Sequence, residues 1–146
     1  MVGCFGLTEP DAGSYPGGMK TRAKRTSSGY LLNGAKKYIT LAPVADMAVI
    51  FASTQPDRGQ WGISAFLVER GQKGFATSAT QAKMGLRSTP IGDIELTDCF
   101  VPEENRIGAE GAGVAIFAKA MESERSYILA SQLGTMERQL ELAIEH

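Results

Sequence analysis

The chain has few of the residues that build metal sites, disulfide frameworks or histidine-based catalysis. Among its 146 residues there are two cysteines, Cys4 and Cys99, and one histidine, His146 at the last position. Two distant cysteines give neither metal-ligand spacing nor a disulfide framework. Because the one histidine is the last residue, a histidine-based triad is set aside. The low cysteine content favours a reducing, cytoplasmic compartment.

The chain also lacks an excess of charge and a long apolar run. Lys and Arg total 15 against 16 Asp and Glu, so the formal net charge is −1. Nucleic acid is not an expected partner, because it requires a basic face. No stretch approaches the roughly 20 apolar residues of a membrane span, and the N-terminus has no signal-peptide pattern. The length fits one domain, or one domain plus a piece of another.

Up to about Pro102 the sequence is punctuated like a β protein. Glycine and proline recur at short intervals and separate runs that are alternating or continuously apolar. These runs predict strands at 21–25, 30–34, 36–40, 47–53, 62–68 and 94–101. Several short strands at such spacing favour a barrel or a sandwich.

The remainder of the chain has a different pattern. From Val114 onward there is no proline and a single glycine, Gly134. Apolar residues recur at helical spacing, which predicts a helix over 112–146 with a break or close contact at Gly134. Because a long helix with a wide apolar face needs other helices to bury it, we expect a fragment or an oligomer.

The Gly-rich loop near the N-terminus is the first candidate site. Gly13, Gly17 and Gly18 allow close backbone approach, and the N–H groups of such a turn can form a nest for a pyrophosphate. Ser14 adds a hydroxyl donor, and Thr8 is suited to a polar ring edge. The alternative is an ordinary surface loop.

A second candidate lies in the strand at 36–40. Tyr38 and Thr40 share a face, since side chains alternate along a strand. An aromatic ring beside a hydroxyl suits the face and edge of a planar heterocycle. The alternative is a half-exposed strand with ordinary side-chain choices.

The third candidate stretch, 121–125, lies on the predicted helix. Glu124 starts from an apolar stripe, and burial there would adapt its carboxylate to act as a general base. The stripe consists of Met121, Tyr127 and Ile128. Glu122, flanked by Lys119 and Arg125, fits a solvated ion-pair face, although Arg125 is also suited to an anionic ligand.

Together these stretches resemble the acyl-CoA dehydrogenase family of flavoproteins. The family's loop motif G-[LIVM]-[ST]-E-x-x-x-G-S-D is matched by GLTEPDAGSY at 6–15, and its W-I-T segment by YIT at 38–40. The end of the family's β domain resembles 98–108, and its first C-terminal helix resembles 111–134. The matches are collinear and cover essentially the whole chain.

The resemblance implies a mainly β fold. Residues 1–110 would form a middle-domain-like β-barrel, and 111–146 one long α-helix, the first helix of a truncated helical bundle. The family's N-terminal helical domain and most of the bundle would be absent. The full enzyme is expected to be a homotetramer.

The resemblance also implies an activity. In the family, FAD lies between the middle domain and the bundle, a carboxylate removes the α-proton of an acyl thioester, and flavin N5 takes the β-hydride. We therefore expect an FAD-dependent acyl-CoA dehydrogenase of fatty acid metabolism, with electron-transferring flavoprotein as a partner. The isolated fragment is expected to be inactive and to bind FAD weakly or not at all.

Site residues follow by motif match. The FAD contacts would be Phe5, Leu7, Thr8, Gly13, Ser14, Tyr38, Ile39 and Thr40. The acyl-thioester contacts would be Ser14, Glu122 and Arg125. Thr40 would donate a hydrogen bond to flavin N5. Glu124 stands where a minority of members carry the catalytic base, whereas in most members the base is a later Glu, beyond His146.

Three positions depart from the family pattern. Tyr15 replaces the Asp of the loop motif, Tyr38 replaces the Trp of W-I-T, and Leu41 replaces the Asn that follows it. The segments 40–46 and 126–134 resemble members of specialised pathways, some of which use an acyl carrier protein. Three alternatives remain open: a carrier-protein-dependent dehydrogenase, an oxygen-using oxidase or monooxygenase, and a non-catalytic β-domain module.

Overall fold

A computed structural model describes residues 1–146. Its strands are β1 (Gly3–Gly6), β2 (Arg22–Arg25), β3 (Gly29–Thr40), β4 (Met47–Ser53), β5 (Ile63–Glu69), β6 (Phe75–Thr77), β7 (Ile91–Pro102) and β8 (Arg106–Ile107). Its helices are α1 (Gly113–Tyr127) and α2 (Ala130–Glu145). The chain divides into two compact units, Met1–Val114 and Ala115–His146.

The strands form one sheet in the order β6-β7-β3-β2-β4-β5-β8, and β1 pairs with β4 off this path. The longest pairing joins β3 and β7 in antiparallel orientation. β1 runs parallel to β4, and β4 pairs antiparallel with β5. The predicted mainly β fold is confirmed, and the sheet is open rather than closed into a barrel, because its end strands do not pair.

Strand prediction succeeded where the pattern is long. The apolar run at 47–53 is β4, and its last four residues are all buried. The strands predicted at 30–34 and 36–40 are one strand, β3, which passes through Gly34 at a positive φ of 148°. A Cβ at Gly34 would lie 2.4 Å from Thr21 Oγ1, so glycine allows the close approach there. The short strands β1, β6 and β8 were missed because two to four residues carry too little periodicity.

The hydrophobic core is formed mainly by side chains of the longer strands. Its largest members are contributed by β3, β4, β5 and β7: Tyr30, Leu32, Ile50, Phe66 and Ile94. The Tyr30 and Phe66 rings meet edge to face, with centroids 5.0 Å apart. The Tyr30 hydroxyl reaches the edge of the core and donates to Glu110 Oε2 at 3.2 Å. The buried phenol thus keeps a hydrogen-bond partner.

The helical prediction for the end of the chain is confirmed, but the break in the helix does not lie at Gly134. α1 and α2 are separated at 128–129, and Gly134 lies inside α2. The Ile128 N–H still donates to Glu124 O at 2.9 Å, so the interruption is slight. The exposed apolar side chains of this part of the chain include Tyr127, Ile128, Leu129, Leu133, Met136 and Leu140. Neither helix has the length and hydropathy that crossing a membrane requires.

Candidate functional site

A buried ion pair attaches the Gly-rich loop to β3. Lys36 Nζ lies 2.8 Å from Glu9 Oε1, and the two side chains are 0% and 3% exposed. The same ammonium donates to Leu7 O at 3.2 Å. The Glu9 carboxylate also accepts the backbone N–H groups of Lys20, at 2.6 Å, and Thr21, at 3.0 Å. The pair therefore holds both the beginning and the end of the loop against one strand.

The environment of the pair keeps both groups charged near neutral pH. Burial alone would raise the pKa of Glu9, but the hydrogen bond and charge of Lys36 and the hydrogen bonds of Thr21 and Lys20 hold that pKa below its usual 4.5. Burial lowers the pKa of Lys36 to about 8, against the opposing effect of Glu9. Because several hydrogen bonds satisfy the pair, the burial of charge is compensated locally.

A backbone hydrogen bond brings the loop motif beside the second candidate stretch. Thr8 O accepts the Lys37 N–H at 2.8 Å. Tyr38, 65% exposed, and the exposed Thr40 share one face of β3, as predicted, and that face is the outer one. Ile39 between them is 3% exposed and packs in the core, so only its backbone is available to a ligand.

Three hydroxyl groups in these segments have no partner within the chain. The side chains of Thr8, Ser14 and Thr40 make no hydrogen bond, and all three are at least partly exposed. The unpaired donors of Thr8 and Thr40 lie on segments that the Thr8–Lys37 hydrogen bond brings together beside the exposed Tyr38, and they fit a polar planar ligand such as an isoalloxazine ring. The predicted contact Phe5 is half-buried, and its ring packs 4.8 Å from that of Phe51.

The tip of the loop leaves its backbone accessible. Glu9 and Ala12 close a short turn through N–H···O bonds of 3.0 and 3.3 Å. Apart from Gly13 itself and the residues on either side of it, no atom lies within 4 Å of the position that a Cβ would take at Gly13, so a ligand has room to approach. The Tyr15 ring lies against Gly17, where a Cβ would be 2.6 Å from the ring. The departure at Tyr15 therefore shapes the far side of the loop.

A cavity of about 280 Å³ lies beside the loop. Its lining includes Gly17, Gly18, Lys20 and Arg22 and also Pro56 and Gly59. Both basic residues already have partners: Lys20 Nζ lies 2.6 Å from Asp11 Oδ2, and the Arg22 guanidinium donates to Met19 O at 2.6 Å. None of the expected FAD contacts lines this cavity.

The helical candidates belong to the second compact unit. Glu122, Glu124 and Arg125 all lie on α1 and are exposed. Glu122 Oε2 pairs with Lys119 Nζ at 2.9 Å, as expected for a solvated ion-pair face. Glu124 is exposed in this chain, as are Tyr127 and Ile128 of the apolar stripe, so its burial and its role as the base stay predictions.

Sequence reasoning missed Lys36 and its bond to Glu9. The two residues are 27 positions apart, and no local periodicity connects them. The available signal is a lysine in a strand that supplies Tyr30, Leu32 and Ile39 to the core.

Comparison with known proteins identifies the class to which this sheet and loop belong. Residues 4–99 match the family model for the acyl-CoA dehydrogenase middle domain. The chain belongs to the acyl-CoA dehydrogenase family.

Two curated relatives illustrate the range of the match. The chain is 44% identical, over its full length, to 39% of the L-prolyl-[peptidyl-carrier protein] dehydrogenase of Pseudomonas fluorescens. It is 42% identical, over 93% of its length, to 36% of the short-chain-specific acyl-CoA dehydrogenase of Clostridium acetobutylicum. The chain thus spans less than two fifths of the length of these relatives.

Solved structures give the same picture. The prolyl acyl carrier protein oxidase AnaB superposes with a TM-score of 0.94 at 41% identity, over 99% of this chain and 38% of that one. PigA, solved with FAD and proline, superposes with a TM-score of 0.93 at 41% identity and the same coverage.

The ion pair generates a stability prediction. Changing Glu9→Gln should lower the free energy of unfolding by about 3–5 kcal/mol, because it leaves the Lys36 ammonium buried without a counter-ion. The double change Glu9→Gln/Lys36→Met should recover part of this loss, since it removes the unpaired charge. Urea unfolding followed by circular dichroism measures both values.

The exposed pair between Lys20 and Asp11 supplies the control. Its side chains are 72% and 65% exposed, so Asp11→Asn should cost no more than about 1 kcal/mol. Equal losses for Glu9→Gln and Asp11→Asn would refute the role given to the buried pair.

The lowered pKa of Glu9 predicts acid sensitivity. Because the pKa of the folded state lies below the usual 4.5, the contribution of Glu9 is complete above about pH 4.5 and is lost as the pH falls through the folded value. Unfolding free energies measured from pH 6 downward should therefore decline less steeply in Glu9→Gln than in the wild type. Parallel curves below pH 4.5 would show that Glu9 carries no such linkage.

Proposed function

We propose that this chain forms the flavin-facing middle part of an FAD-dependent acyl-thioester dehydrogenase, an oxidoreductase acting on a CH–CH bond. The observation that carries the proposal is the hydrogen bond from the Lys37 N–H to Thr8 O, which brings the loop motif beside the segment 38–40. Family membership and a similar structure solved with FAD support it. The middle domain would comprise 1–110, and 111–146 would begin the helical domain, close to the division between the compact units.

When bound, FAD supplies the two-electron acceptor that takes a hydride from the β-carbon of the substrate. Within this chain, the hydroxyls of Thr8 and Thr40 would donate to the polar edge of the flavin ring. The exposed Tyr38 ring would pack on the flavin. Gly13 would let the loop backbone approach the pyrophosphate, and Ser14 would donate to the pyrophosphate or to the thioester.

A carboxylate must take the α-proton of the substrate. In this proposal Glu124 does so from α1, and Glu122 and Arg125 contact the acyl-thioester ligand. Glu124 is exposed in this chain, so the desolvation that suits a general base would come from the substrate and from further helical segments of the whole protein.

A carrier-protein-bound substrate is the second candidate. It is favoured by the relative named L-prolyl-[peptidyl-carrier protein] dehydrogenase, 44% identical, and by the structure described as a prolyl acyl carrier protein oxidase, with a TM-score of 0.94. In that case the thioester would be presented on a protein rather than on CoA. Because AnaB is described as an oxidase, molecular oxygen is a second candidate for the electron acceptor, beside an electron-transferring flavoprotein.

The remaining parts of the proposal concern the whole protein. We infer a homotetramer in the cytoplasm. The free, buried cysteines Cys4 and Cys99 agree with a reducing compartment. The exposed apolar face of α1 and α2 agrees with burial by further helices.

Anaerobic flavin reduction tests the proposed reaction. The full-length protein that carries this chain is mixed with saturated acyl-CoAs and, separately, with a carrier protein that bears a prolyl thioester. The flavin absorbance is then followed. Bleaching by one thioester is expected, and the effective thioester identifies the substrate class. A protein that binds no flavin, or whose flavin bleaches with neither kind of thioester, would contradict the proposed function.

The same assay tests the proposed base. Glu124→Gln should slow bleaching by about 10²–10⁴-fold, because it removes the proton acceptor. Glu137→Gln, at an exposed position on α2, is the matched control and should leave the rate unchanged. A Glu124→Gln protein that bleaches at the wild-type rate would place the base elsewhere.

A further inference from the structure

The pairing of β3 with β7 contains one extra residue beside the proposed flavin segment. Lys36 lies opposite Ile94, and Ile39 lies opposite Gly92. Three steps along β3 therefore match two steps along β7, so Lys37 and Tyr38 together oppose Asp93. Tyr38 has a positive φ of 56°, an uncommon conformation for a residue with a side chain. This is a β-bulge, which re-aims the side chains that follow it.

The bulge decides which face Tyr38 and Thr40 occupy. Lys36 is 0% exposed and Ile39 is 3% exposed, although they are three positions apart. In a regular strand, residues two apart share a face, so Tyr38 and Thr40 would point inward with Lys36. The extra residue reverses the alternation and turns both side chains outward.

Asp93, opposite the bulge, forms hydrogen bonds with both bulge residues. Its carboxylate accepts the Tyr38 N–H at 3.2 Å through Oδ1 and the Lys37 ammonium at 2.6 Å through Oδ2. Gln81 donates a further hydrogen bond to Oδ1 at 2.9 Å. The side chain of Asp93 is 18% exposed. The bulge N–H groups therefore both have partners, because that of Lys37 is bonded to Thr8 O.

The surroundings of Asp93 favour its charged form. Partial burial by itself would raise the pKa of the carboxyl, but the hydrogen bonds from Lys37, Tyr38 and Gln81 and the charge of Lys37 hold that pKa below its usual value. The acceptor is thus ionised, which strengthens its hydrogen bond to the peptide N–H.

We propose that Asp93 is a positioning residue that fixes the bulge at Lys37 and Tyr38 and thereby keeps Tyr38 and Thr40 turned toward the flavin. The flavin half of this inference rests on the proposed function, whereas the hold on the bulge does not. Asp93 is not expected to touch the cofactor. It acts through the backbone conformation of β3.

The test combines hydrogen exchange with flavin binding in the full-length protein. In Asp93→Ala, amide exchange in the segment 37–41 should accelerate about tenfold, and the FAD dissociation constant should rise about tenfold, as expected for the loss of the charge-assisted hydrogen bond that holds the Tyr38 N–H. Asp93→Asn keeps an oxygen acceptor for the Tyr38 N–H but loses the charge and the ion pair with Lys37, so both values should rise by only about threefold. Glu95→Ala, an exposed position two residues along β7, is the control and should change neither.

Each half of the inference has its own contrary result. Wild-type exchange at 37–41 in Asp93→Ala, or equal acceleration in Asp93→Ala and Asp93→Asn, would overturn the hold on the bulge. Faster exchange with an unchanged FAD dissociation constant would overturn the link to the flavin. A wild-type protein that binds no FAD defeats the proposed function and the flavin half with it, while the exchange data still decide the role of Asp93 in the bulge.

Discussion

The buried ion pair between Glu9 and Lys36 is the contact on which the candidate site depends. A buried pair is a weak source of stability, because desolvation of the two charges offsets their attraction. We attribute to it a role in structural specificity instead. The Glu9 carboxylate accepts from Lys36, Lys20 and Thr21, and the Lys36 ammonium also donates to Leu7 O. A loop whose ends are bonded in this way has one register relative to β3.

The same register continues into the proposed flavin segment. One residue beyond Lys36 the chain enters the bulge, where Lys37 donates to Thr8 O and Asp93 accepts from Tyr38. Two segments that are distant in sequence therefore meet through a short series of polar contacts, and their free side chains face outward. Such preorganisation places donors before a ligand arrives, so their ordering is not a cost of binding.

The predictable parts of the fold are those with long local patterns. The apolar run of β4 and the helical spacing beyond Val114 indicated the correct structures, and the polar composition after Gly6 indicated a loop. The loop motif and the segment 38–40 also indicated the family, which the family model matches over 4–99. Local composition and spacing carry this information directly.

The unpredicted parts depend on contacts between distant residues. Alternation placed Tyr38 and Thr40 on one face but left open which face, because the bulge opposite Asp93 decides it. The partner of Lys36 could not be read from a strand sequence. The position of the helix interruption at 128–129, rather than at Gly134, had no composition signal. The expected burial of Glu124 depended on packing partners that a helix does not provide by itself.

A crystal structure of the full-length protein with FAD most directly tests whether the Glu9–Lys36 pair assembles a flavin site. We predict the flavin ring within hydrogen-bonding distance of the Thr8 and Thr40 hydroxyls, with the ion pair intact and the bulge at Tyr38 unchanged. A flavin bound away from both segments, or seated only in the cavity lined by Gly17 and Arg22, would contradict the proposed site.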